Sequence, residues 1–71
     1  MDELDLHGVR HARAELLVED FVLRHEPPLR IITGNSPAMK EIVSAVLLRH
    51  HLRGEVESDY NLGAIIVTEA Y

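Results

Sequence analysis

The stretch Pro27-Pro28-Leu29-Arg30-Ile31-Ile32-Thr33-Gly34-Asn35-Ser36-Pro37 contains a stop, a strand and a start. The two prolines end whatever helix precedes them, because proline has no amide to donate and disfavours helical backbone in the residue before it. Leu29 to Thr33 is short, β-branched and largely apolar, which predicts a strand buried on both sides. Gly34 closes it. Ser36 followed by Pro37 predicts the start of a helix: the hydroxyl can accept from a free amide, and proline in the first helical position has no amide to leave unpaired. A strand fed by one helix and feeding another belongs to an α/β fold.

Working outward from this stretch, the segment from about Arg10 to His25 places Ala14, Leu17, Val18, Phe21 and Val22 at the spacing of one helical stripe, with Glu15, Glu19, Asp20 and Arg24 on the wet side. Its start is poorly capped, since Arg10 and His11 stand where Ser, Thr or Asp would be preferred. Before it, Glu3 to His7 alternates. Leu4 and Leu6 point one way and Asp5 and His7 the other, a strand with one buried face, and Gly8 then permits a sharp turn. On the carboxyl side Met39, Ile42, Val43, Val46 and Leu47 carry a second helix to about His51. Gly54 is its expected end signal. Glu55 to Tyr60 and Leu62 to Glu69 then read as two strands joined near Asn61. The order is β-α-β-α-β-β. Right-handed crossovers predict a two-layer sandwich, a mixed four-stranded sheet with both helices on one face and the other face open. Residues 1–71 form a single domain on this reading.

With 71 residues the chain has room for one core. Hydrophobic residues make up 46%, but with one Phe, two Tyr and no Trp that core must be aliphatic. The lack of cysteine excludes a disulfide framework, a thiolate metal cluster and a cysteine nucleophile. No apolar run approaches the roughly 20 residues of a spanning helix, and Met1-Asp2-Glu3 is acidic where a signal peptide would be basic. The expectation is a cytoplasmic protein away from membranes. Seven Lys and Arg against twelve Asp and Glu give a formal charge of −5, which argues against binding nucleic acid by bulk electrostatics. Any polyanion must meet a local site.

Asp5 and His7 stand at the carboxyl end of one strand, and Thr33-Gly34-Asn35-Ser36 ends the next in the same way. Ligands of α/β folds bind at such ends. If the two strands are neighbours, a carboxylate, an imidazole, small polar side chains and free helix amides share one rim, a composition that suits a phosphate. The constellation Leu4-Asp5-Leu6-His7-Gly8 followed by this glycine loop resembles the Smr (small MutS-related) domain. Its marks are an LDLHG-type motif near the amino end and a (Thr/His)-Gly-x-Gly loop at the second helix. The first is complete here. The second departs at Ser36, where the family has glycine. Gly63-Ala64-Ile65-Ile66-Val67 is similar to the family's final strand, so the resemblance spans nearly the whole chain, in the compact stand-alone form.

The resemblance implies a fold similar to the carboxyl-terminal domain of bacterial translation initiation factor three. It also implies nucleic-acid binding, with endonuclease or nicking activity on RNA or on branched or nicked DNA. Carried over by residue, Asp5 and His7 match the cleavage positions, and Gly8, Thr33 and Gly34 the phosphate-side loop. His11, Asn35, Ser36 and Lys40 are the further candidate contacts at the same rim. His7, or Asp5 acting through water, would take a proton from the attacking hydroxyl. With RNA the ribose 2′-hydroxyl can itself attack. His7 and His11 are four apart but assigned to different elements with no third ligand, so the sequence indicates no metal site; a divalent metal cofactor stays open, as does a homodimer or a protein partner.

Each feature also has a purely structural account. Asp5 reads as a surface carboxylate, His7 as a turn histidine, and Gly34, Ser36 and Pro37 as strand end, cap and first helical residue. His50 and His51 end a helix, where positive charge is favoured. Arg30, Lys40 and Arg53 are candidate phosphate contacts or ordinary surface charges. Glu55, Glu57 and Asp59 mark a solvated strand face that repels nucleic acid, or a guarded edge. The alternative function is a non-catalytic nucleic-acid-binding or protein-interaction module of the same fold.

Overall fold

The computed structural model describes residues 1–70. Along the chain run β1 (Asp2–Asp5), α1 (His11–Arg24), β2 (Leu29–Ile32), α2 (Pro37–Arg49), β3 (Leu52–Ser58) and β4 (Asn61–Glu69). The sheet order is β1-β2-β4-β3. β1 and β2 are parallel, and β4 lies antiparallel to both β2 and β3. The steps from β1 to β2 and from β2 past β4 to β3 therefore advance in the same direction across the sheet. Crossovers of one hand then place both helices on one face, and β4 returns through the gap. The two-layer α/β arrangement expected from the sequence is the one observed.

The helix-facing side of the sheet supplies Leu6, Leu29, Ile31, Ile65 and Val67 to the core. α1 adds Ala14, Val18 and Phe21, and α2 adds Met39, Val43, Val46 and Leu47. Leu17, Val22 and Ile42, read from the same stripes, are only partly buried at the margins. α1 starts, as its sequence implies, without a side-chain cap at Arg10, whereas Ser36 Oγ accepts from Met39 N at 3.1 Å with Pro37 at the first helical position. No helix among the described residues is long and apolar enough to cross a membrane.

Three expectations are corrected. β2 is buried only toward the helices: Leu29 and Ile31 are fully covered, while Arg30 and Ile32 are half-buried on the open face, because no second helical layer lies there. β3 begins at Leu52 rather than Glu55 and ends at Ser58, and β4 begins at Asn61, so the hairpin turns at Asp59 and Tyr60. Gly54 is therefore inside β3, not at the end of α2. The helix stops when His51 takes a left-handed conformation, φ 57°, with His51 N bonded back to the Leu48 carbonyl.

Packing explains the glycine instead. A Cβ on Gly54 would lie 2.6 Å from Leu47 Cδ1 and 2.9 Å from Ile65 Cγ2, and both neighbours are themselves buried. Gly54→Ala is therefore expected to destabilise the protein by about 1–3 kcal/mol, the usual cost of overpacking. Urea denaturation measures it, and an unchanged midpoint would show that α2 can move away from β3 freely.

Candidate functional site

The register of the parallel pair decides what meets at the carboxyl ends of β1 and β2. Asp5 is opposite Ile32, and Leu6 N donates to the Ile32 carbonyl at 2.8 Å. The segment His7 to Arg10 and the segment Thr33 to Ser36 thus leave the sheet side by side, each leading into a helix. Both turns need glycine. Gly8 and Gly34 sit at φ 79° and 66°, in the left-handed region, with open space where a Cβ would project, so the constraint at both is the backbone rather than crowding.

Asp5 and His7 do not share a strand face, because β1 ends at Asp5 and His7 stands in the turn beyond it. Their link is local: Asp5 Oδ1 accepts from His7 N at 2.8 Å, a side-chain-to-backbone closure of the turn. The carboxylate thereby fixes the backbone that carries the imidazole. The His7 side chain is exposed and hydrogen-bonds to nothing among the described residues.

In the second loop the side chains divide between holding the loop and facing outward. Thr33 is 4% exposed. Its hydroxyl donates to the Gly34 carbonyl at 2.8 Å with the Gly63 carbonyl as a second, longer acceptor of the same proton at 3.3 Å, and the amides of Thr33 and Gly34 donate to the Gly63 carbonyl at 2.8 and 3.0 Å. Thr33 is thus a strut that pins the loop to the start of β4. Asn35 is exposed, and its amide and that of Ser36 have no protein acceptor among the described residues. Ser36, where the resembled motif has glycine, has φ −92°, backbone any residue adopts. Its hydroxyl caps Met39 N, and Pro37 has no amide, which leaves Ala38 as the free donor of the first turn of α2. Ser36→Ala is expected to cost about 1 kcal/mol and Ser36→Gly only a few tenths. Urea midpoints of the two variants check the cap, and equal losses would contradict it.

α1 opens differently. Arg10 is its uncapped N-cap residue, His11 and Arg13 follow, no acidic residue lies in the first turn, and the amides of His11 and Ala12 lack protein acceptors. Cations crowd the positive end of the helix dipole, an arrangement that opposes stability unless an anion joins it. Ion pairing elsewhere sharpens the point. Arg24 pairs with Asp20, Arg49 with Glu15 and Glu19, and Arg30 with Glu3 at 2.7 Å and Glu57 at 2.9 Å. Among the described residues Arg10, Arg13, Lys40 and Arg53 have no such partner. Arg10 and Arg13 begin α1 and Lys40 lies in the first turn of α2, so three of the four unpaired cations gather at the end of the sheet where Asp5 and Ile32 lie.

Arg30 leaves the set of candidate phosphate contacts. Two carboxylates hold it across the open sheet face, and its guanidinium is still harder to deprotonate than usual because of hydrogen bonds to Glu57 and Glu3. The hydrogen bond from Arg30 holds the Glu57 carboxyl below its ordinary range, with Asn61 adding to the effect. Arg10 and Arg13 are the residues that sequence reasoning missed, although the poor cap at Arg10 and His11 was a visible signal for the first of them. Among the described residues no group of three His, Cys, Asp or Glu side chains is placed to hold a metal ion. Compared with family models, with curated proteins and with solved structures, the chain matches none of them.

Proposed function

We propose that this rim binds the phosphates of a nucleic acid and that His7 promotes cleavage of a phosphodiester there, as the resemblance to the Smr domain implies. The observation that carries the reading is the placement of Arg10, Arg13 and Lys40, unpaired, around two helix starts with free amides, beside an exposed imidazole, on a chain whose formal charge is −5. A protein this acidic has no general attraction for polyanions, so a local concentration of cations and amides is the form a phosphate site would take.

In this reading His7 is the catalytic base and Asp5 a positioning residue. On RNA, the proton of the ribose 2′-hydroxyl passes to His7 as the 2′-oxygen attacks phosphorus. The bond to the 5′-oxygen breaks, and that oxygen takes a proton from water. The amides of His11, Ala12, Asn35 and Ala38, with Arg10 and Arg13, stabilise the charge that develops on the non-bridging oxygens. Thr33 and Gly34 set the loop.

The test offers purified protein single-stranded RNA, duplex RNA, linear DNA and branched DNA, each with magnesium and with chelator. Cleavage of one of these is the expected result. Salt-sensitive binding without cleavage would support the non-catalytic module instead, a reading favoured by the lack, among the described residues, of any side-chain partner orienting the His7 ring. Absence of both binding and cleavage would contradict the proposal.

A further inference from the structure

The hairpin between β3 and β4 turns at the same end of the sheet as the rim, because the Gly63 carbonyl accepts from Thr33 N and Gly34 N. Two residues, Asn61 and Leu62, separate Gly63 from Tyr60, three steps of extended chain or about 10 Å. The tip is tied down. Ser58 Oγ accepts from Tyr60 N at 3.2 Å and from Asn61 N at 3.1 Å, Asn61 Nδ2 donates to Glu57 at 2.8 Å, and Asn61 Oδ1 accepts from Gly63 N at 3.2 Å.

On this braced turn the Tyr60 side chain contributes nothing to the fold. Tyr60 is 101% exposed, and its hydroxyl has no partner among the described residues. The chain has few aromatic residues, and Phe21 is in the core. Leu62, next on the open sheet face, is also half exposed. Asp59, adjacent in sequence, would repel a phosphate, whereas the uncharged face of a base suits a phenol ring.

We infer that Tyr60 is a stacking platform for an unpaired base, and that the substrate of the rim is single-stranded nucleic acid. This rests on the rim reading: the phosphate sits at the helix starts and a neighbouring base lies on Tyr60. In a duplex the bases are already stacked on one another, so only a splayed base can use the ring.

The experiment titrates a fluorescein-labelled single strand about eight nucleotides long, and a hairpin duplex of the same composition, with wild type, Tyr60→Phe, Tyr60→Ala and the Arg10→Asp, Arg13→Glu double variant. Tyr60→Ala is expected to lose about tenfold or more in affinity for the single strand and none for the duplex, with Tyr60→Phe close to wild type. The double variant loses both. Single-strand affinity unchanged in Tyr60→Ala, or an equal loss on both probes, would overturn the stacking role while leaving the rim reading in place. Wild type that binds neither probe would overturn the rim reading, and the stacking role with it.

Discussion

Arg10→Asp combined with Arg13→Glu is expected to make the protein more stable and, on the proposed function, a much weaker binder of nucleic acid. The two substitutions create an acidic N-cap and an acidic third helical residue, the pattern of a capping box, at a helix that has neither. Capping and dipole effects together are worth about 1–2 kcal/mol, which in a domain of this length raises Tm by about 4–8 °C for each kcal/mol. Binding moves the other way. Two charge-assisted contacts, each worth about 1.5–3 kcal/mol, give a loss of about a hundredfold or more. The slope of log affinity against log salt falls by about one for each lost phosphate contact. Thermal melts and salt titrations of the same two proteins measure both halves. A variant that is more stable yet binds as wild type would show that the cations serve no ligand.

His7→Ala should abolish cleavage and little else. Loss of a general base lowers rates by about 10²- to 10⁴-fold, whereas an exposed ring without a hydrogen-bond partner leaves no buried group unsatisfied when removed. Affinity within a few-fold of wild type and an unchanged urea midpoint are the expected companions. Asp5→Asn is a useful contrast, because an amide oxygen can still accept from His7 N and keep the turn. If Asp5 acts only by holding that turn, the variant stays active. Full activity in His7→Ala would remove the imidazole from the chemistry.

The elements were legible in the sequence wherever one period governed a segment. Ala14, Val18 and Phe21, and Met39, Val43, Val46 and Leu47, fall where helical spacing puts them, and Ser36-Pro37 starts α2 through the expected cap. Gly54 was not legible, because a glycine that admits the Leu47 side chain looks in sequence like one that ends a helix; only the crossing of α2 over β3 distinguishes them. Arg30 was misjudged for a related reason. Its partners Glu3 and Glu57 are each 27 residues away in sequence, so its neutralisation is a product of the sheet register. Thr33 matched a loop motif but serves it as a buried strut. The converse error hid Arg10, which read with His11 as a defective cap, and Arg13, which carried no signal; what distinguishes them is that Arg24, Arg30 and Arg49 have carboxylate partners.

These cases share one lesson. A single sequence shows which residues have the chemistry for a phosphate, but not which of them the fold leaves without a partner. Here the tertiary structure withdraws Arg30 and Thr33 and leaves the side chains of Arg10, Arg13, Lys40 and His7 without an ion-pair or hydrogen-bond partner among the described residues.

The location of the proposed binding rim is tested by an amide chemical-shift titration of the labelled protein with a short single-stranded oligonucleotide. The largest shifts are expected at His7 and Gly8, in the turn that follows β1, and at His11, Ala12, Asn35 and Ala38, whose amides line the two helix starts, fading as salt rises. Shifts confined to the opposite end of the molecule, around His25 and Glu69, or to Arg53 and Thr68 on the open sheet face, would contradict it.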